Sequence, residues 1–153
     1  MKSPFGSNEE SQNKSIQDFD SAKIIFVSDF SAEQHTGGAE LTTDAILRTC
    51  PVGEAYFLNS NDVTLDLVHK GSQKIWVFCN FLGMDSRLIP VIVANCNYFI
   101  IEYDYKFCKY RSIENHMSDE GKPCDCANQE YGMFISAFFS GAEHAFFMSE
   151  KQR

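Results

Sequence analysis

The sequence is short of positive charge: 13 lysines and arginines stand against 21 aspartates and glutamates in 153 residues, a net charge of −8. Nucleic acid and anionic membrane surfaces both repel such a protein, so no nucleic-acid partner is expected. Long apolar runs are also missing. No stretch approaches the roughly 20 apolar residues of a membrane-spanning helix, and no basic start leads into the apolar core of an export signal. The default expectation is a soluble, cytoplasmic protein without a transmembrane segment. The G-x-G-x-x-G pattern of dinucleotide-binding turns is absent, and so is the G-K-[ST] ending of a phosphate-binding P-loop. The chain shows no internal repeat and no linker between two domains.

What is present suffices for a core. The chain is 44% hydrophobic and 14% aromatic, which at this length supports one domain. Residues 1–22 are the exception. They are polar and unpatterned, and are expected to form a disordered tail because they bury too little to offset their ordering entropy. From Lys23 onward, short apolar runs alternate with helical patterns. Ile24 to Val27, Ala55 to Leu58, Ile75 to Phe78, Tyr98 to Ile101 and Ala145 to Met148 read as strands. The alternation predicts an α/β protein with a Rossmann-like open, mainly parallel sheet of about five strands and helices on both faces.

The intervening helices differ in their signals. Leu41, Ala45 and Ile46 share one face of a helix that begins near Ala39 and stops before Cys50-Pro51. Asn61 or Asp62 is expected to cap a second, with Val63, Leu67 and Val68 on one face and Gly71 as the residue past its end. Pro90 fits the first turn of a third, around 88–94. A fourth, 129–140, carries Phe134, Ile135, Phe138 and Phe139 as core packing. Ser149-Glu150 after the last strand could open another helix, so the chain reads as truncated before a second domain.

In open parallel sheets, ligands bind beyond the carboxyl ends of the strands, where the strand order reverses. With the order 3-2-1-4-5, that crevice lies between the first and fourth strands and receives the loops after Ser28 and after Tyr103. The first loop holds Asp29, His35, Gly37 and Gly38, the two glycines standing at a helix start whose bare N–H groups favour an anion. The second opens Glu102-Tyr103-Asp104-Tyr105-Lys106 and runs to about 128. Its residues Lys106, Lys109, Tyr110 and Arg111 form a basic and aromatic cluster suited to a sugar ring or a phosphorylated acceptor, and equally compatible with a solvated loop face. His35 and Asp104 are candidate catalytic residues. His69 and His144 read as structural.

Six cysteines occur, at positions 50, 79, 96, 108, 124 and 126. Without an export signal they read as thiols or metal ligands in place of disulfides. Cys50, Cys79 and Cys96 fit small buried hydrophobes. Cys108, His116, Cys124 and Cys126 fall together in the loop at about 104–128 and supply the ligand types of a Cys₃His structural zinc site, which would tie that loop. A disulfide from Cys108 to Cys124 or Cys126, and free thiols, are the alternatives. No spacing predicts a catalytic metal, and no cofactor is expected to be required for catalysis.

The string Phe26-Val27-Ser28-Asp29-Phe30, followed by His35-Thr36-Gly37-Gly38-Ala39-Glu40-Leu41, resembles the opening of GT-B-fold glycosyltransferases, particularly the retaining class with a Gly-Gly-Ala-Glu helix start. The similarity continues through Tyr98 to Tyr103 and Asp104 to the stretch Ala145-Phe146-Phe147-Met148-Ser149-Glu150-Lys151-Gln152, so it covers most of 23–153. The resemblance implies the N-terminal, acceptor-side domain of an enzyme that moves a sugar from a nucleotide-sugar donor to a carbohydrate or other hydroxyl acceptor. Gly37 and Gly38 would approach the donor diphosphate through backbone N–H groups, and Tyr103, Asp104, Lys109 and Arg111 would lie on the substrate side. A missing C-terminal domain would supply most nucleotide contacts. The family often places a histidine directly before the aspartate after the fourth strand, and this chain has Tyr103 there. The rival expectation is a stand-alone α/β binding or interaction module, perhaps held by zinc. A flavodoxin-type nucleotide-binding regulator is a weaker third, since Asp29 stands nearly alone where such domains place an acidic cluster.

Overall fold

The computed structural model describes residues 18–150. Five strands, β1 (Ile24–Ser28), β2 (Ala55–Asn59), β3 (Ile75–Phe78), β4 (Asn97–Glu102) and β5 (His144–Phe147), pair in parallel throughout one sheet. The helices are α1 (Gly38–Leu47), α2 (Leu65–Lys70), α3 (Ile89–Asn95), α4 (Ile113–Glu120) and α5 (Glu130–Gly141). The chain therefore has the expected open α/β architecture.

Strand residues alternate between the two faces, and parallel strands are apolar on both because helices cover both. One face presents Ile25, Val27, Trp76, Phe78, Tyr98 and Ile100 to α2, α3 and α5 and forms the main core. Phe138 of α5 anchors it: its ring centroid lies 5.0 Å from that of Phe78 and 4.8 Å from that of Tyr98. The Tyr98 hydroxyl donates to the Phe138 carbonyl at 2.6 Å, so this buried polar atom is satisfied. The opposite face gathers Phe26, Cys79 and Ile101 beneath Ile46 and Leu47 of α1.

The strand order is β2-β1-β3-β4-β5, and not the 3-2-1-4-5 expected. The connection through α2 carries the chain from β2 across β1 and sets β3 on its far side. The reversal therefore falls between β1 and β3, and the crevice receives the loops after Ser28 and Phe78. The segment after Tyr103 enters from the neighbouring strand.

Several local expectations are corrected. The tail is not unstructured up to residue 22: residues 18–21 form a helical turn whose Phe19 is 2% exposed and packs edge-on against Tyr56 and Trp76. Residues 1–17 lie outside those described. Thr64, not Asn61 or Asp62, caps α2 with its side chain, while Ser60–Asp62 make a 3-10 turn. Gly71 ends α2 with φ −90°, so a left-handed turn is not why glycine stands there. A β-carbon at that position would run into the Trp76 ring, whose Nε1 donates to the Gly71 carbonyl at 2.8 Å. The long segment between β4 and β5 is not a bare loop, since it contains α4. Among the described residues, no helix is long and apolar enough to cross a membrane.

Candidate metal centre and strand-end cleft

The turn from β1 into α1 brings His35, Gly37, Gly38 and Glu40 together. Gly37 is the N-cap in extended backbone and makes no side-chain cap. Glu40, in the first turn, is 7% exposed and lies against Gly37, so a β-carbon there would collide with its carboxylate and press on the His35 ring. That carboxylate supplies the negative charge the helix start favours, worth about 0.3–1 kcal/mol. Gly38 faces open space. His35 is exposed and packs on Phe30.

At the crevice, Asp29 ties three loops. Its Oδ1 accepts from the Ser60 hydroxyl and from the Gly83 N–H at 3.1 Å, and its carbonyl accepts from Asn59 Nδ2 at 2.7 Å. The strand ends around β1 and β3 are thereby fixed relative to each other. Asn80 Oδ1 and Ser28 Oγ are buried there without a protein partner.

The end of β4 divides the predicted substrate residues. Tyr103 turns towards α1, where its hydroxyl meets Thr43 Oγ1 at 3.1 Å, and burial raises its pKa. Asp104 belongs to a charge cluster on the other side: its Oδ1 accepts from Lys106 Nζ at 3.2 Å and from Arg111 Nη1 at 3.1 Å. Lys106 is fully buried and also approaches Glu102 Oε2 at 3.4 Å. Burial pushes the Glu102 pKa up against the opposing pull of Lys106. Both cations sit over the Phe81 ring, Arg111 at 5.3 Å and Lys106 at 5.7 Å from its centroid. Lys109 points elsewhere, to Glu120 at the end of α4 at 2.6 Å. His35 and Asp104 thus belong to different clusters.

Arg111 is the one described non-glycine residue with positive φ, 58°. Such a conformation costs about 1–3 kcal/mol and persists only where its surroundings impose it. Here the Arg111 N–H donates to the Cys108 carbonyl at 2.9 Å and its carbonyl accepts from the Tyr105 N–H at 3.3 Å. Ser112 next caps α4 by accepting from the Asn115 N–H, and Gly121 closes that helix in the left-handed region at φ 66°. This Ser-cap and Gly-stop pair was readable in the sequence and would have located α4.

The folding of that segment assembles Cys108, His116, Cys124 and Cys126. Their ligand atoms all lie within 4.8 Å of one another, so the four form a Cys₃His group able to hold a metal ion. His116 Nδ1 is 3.6 Å from Cys108 Sγ and 3.5 Å from Cys126 Sγ. The Tyr110 N–H donates to Cys108 Sγ at 3.4 Å. The Lys109 backbone N–H bonds Cys126 and lowers its thiol pKa, which favours the thiolate a metal requires. The Tyr110 ring meets the His116 ring edge to face, with centroids 5.4 Å apart. All six cysteines are free of disulfides.

The Glu102–Lys106 pair and Phe81 are the residues that sequence reasoning undervalued. Charges directly after an apolar strand were the available signal for the pair. Nothing local marks Phe81, because its role depends on β3 lying next to β4. Comparison of the chain with protein-family models, with curated proteins and with solved structures finds no match.

Proposed function

We propose that this chain is the acceptor-side α/β domain of a glycosyltransferase using a nucleotide-sugar donor, with a structural zinc ion tying the segment between β4 and β5. The observation that carries the reading is the gathering at one end of the sheet of the β1–α1 glycine turn, the Asp29 tie and the Asp104–Arg111 pair. In this reading the acceptor lies against the end of β4, and the donor diphosphate approaches Gly37 and Gly38 once the Glu40 carboxylate turns away. A second domain supplies the remaining donor contacts. The zinc assignment rests on ligand chemistry: tetrahedral zinc with bonds of about 2.3 Å to sulfur and 2.0–2.1 Å to nitrogen sets those atoms about 3.6 Å apart, and the sulfur–nitrogen separations here are 3.6 and 3.5 Å. A reducing, cytoplasmic setting suits the thiolates.

A second reading, a zinc-held α/β binding module, is favoured by Glu40, which already occupies the helix start that a diphosphate would need. The test separating the two is equilibrium binding of UDP-glucose and GDP-mannose. It is run on the 153-residue chain and on a version extended along its own reading frame past Arg153. The transferase reading expects weak or absent binding by the chain alone, with binding and sugar transfer by the extended protein. A frame that stops at Arg153, or an extended protein that binds neither nucleotide sugar, leaves the module reading.

A further inference from the structure

The segment strung between two of the metal ligands also forms one wall of a cleft. Arg111, Ser112 and Glu114 lie between Cys108 and His116 in the chain, and together with Glu102, Asp104 and Tyr105 they line a cavity of about 370 Å³ at the carboxyl end of β4. That volume falls within the roughly 300–1,000 Å³ of small-ligand sites.

Buried donors among these residues lack partners. Arg111 Nε and Nη2 are donors without acceptors, while Glu102 Oε2 has the Lys106 ammonium at 3.4 Å. Buried polar atoms are normally paired, so the unpaired guanidinium N–H groups call for an acceptor, and the carboxyls beside them favour one that can also donate. Phosphate presents mainly acceptors, and it would face the Asp104 and Glu102 carboxyls. A hydroxyl group accepts from a guanidinium and donates to a carboxylate, and neighbouring hydroxyls on one ring do so in two places. Tyr105, 37% exposed, adds an aromatic surface.

We propose that this cleft binds an uncharged, hydroxyl-rich ligand, a sugar or cyclic polyol, and that the metal centre builds it. The proposal rests on the zinc reading above and adds to it the ligand class and the dependence of binding on the metal. Arg111 holds its left-handed backbone between Cys108 and the cap of α4, so releasing Cys108 and His116 from a shared ion frees the wall that carries the guanidinium.

The experiment begins with metal analysis of the purified chain. The Arg111 Nε–Hε signal, assigned by its loss in Arg111→Lys, is then followed by NMR during titration with D-glucose, D-galactose, N-acetyl-D-glucosamine and myo-inositol, with inorganic phosphate as comparator. The expected result is a saturable shift with at least one sugar or inositol, weakened at least tenfold by a zinc chelator and restored by added zinc. Glu102→Gln, which leaves the metal ligands and the reporting guanidinium intact, is expected to weaken binding without releasing metal. A shift with phosphate alone, or with none of the probes, overturns the ligand class. Sugar binding that survives chelation overturns the metal dependence. A chain that holds no metal and takes up none overturns the zinc reading itself, so the two failures are distinct.

Discussion

The ends of β1 and β4 both carry polar side chains at the same end of the sheet, but they are held by different means. At β1 Asp29 reaches distant loops, but the turn into α1 is ordered locally: two glycines, a helix start and one carboxylate in the first turn, with His35 exposed beside them. At β4 it is cross-linked: a buried lysine, an arginine in left-handed backbone and four side chains able to hold a metal meet within a segment of about 25 residues, longer than most structureless loops. Local order tolerates substitution because each piece forms independently. Cross-linked order is expected to fail together, since each buried charge relies on partners that the tie holds in place.

The largest expected effect tests the tie directly. Cys126→Ser should abolish bound zinc, expose 104–128 to proteolysis and lower the melting temperature by roughly 10 °C, the effect of several kcal/mol on a domain of this size. Unchanged melting and protease resistance would place the segment's order elsewhere. Gly132→Ala attacks the same region without touching a ligand. A β-carbon there would run into the Ala127 backbone, so the turn Cys126–Asn128 must shift, at a cost of about 1–3 kcal/mol and with weaker zinc retention. A variant as stable and as metal-bound as the parent would show that the turn is free to move.

Two carboxylates of the β4 region should respond to pH with opposite sign. Burial raises Glu102 above the usual 4.5, so the folded protein holds this proton more tightly than the unfolded chain does. Its effect on stability is most favourable below 4.5 and is lost as pH rises through its elevated folded value. Glu120, lowered from 4.5 to about 2 by Lys109 and Tyr110, contributes above 4.5 and loses that contribution as pH falls towards 2. Denaturant midpoints of Glu102→Gln and Glu120→Gln, each compared with the parent from acid to neutral pH, should remove one slope each. Slopes of the same sign would refute the assignment.

The smallest effects belong to the β1 end. Gly37→Ala should cost about 1 kcal/mol through its clash with Glu40, whereas Gly38→Ala should stay within about 0.5 kcal/mol of the parent, because nothing lies near its β-carbon. Thermal melts of the two variants decide it. Equal losses would mean that the turn demands glycine twice.

Much of the fold was legible in the sequence because a parallel sheet writes its strands as short apolar runs. All five strands were located within a residue or two, and Cys108, His116, Cys124 and Cys126 were grouped by ligand type before any geometry was known. The helix between them was missed although Ser112 and Gly121 mark its ends, because its helical pattern is polar. The buried state of Lys106 was invisible, since a lysine after a strand reads as solvated until Glu102, Asp104 and Phe81 are seen around it.

By itself, the sequence determined the five strands, the apolar alternation that puts helices on both faces and the inventory of side chains able to hold a metal, all of which follow from residue type and short-range spacing. Only the tertiary structure decided that β3 lies beside β1, that the crevice falls there, that Tyr103 and Asp104 part to opposite sides, and that four ligand atoms converge. The first two depend on how the chain crosses the sheet, a choice made by packing between residues far apart in sequence, and the last two on how the segment after β4 folds back on itself.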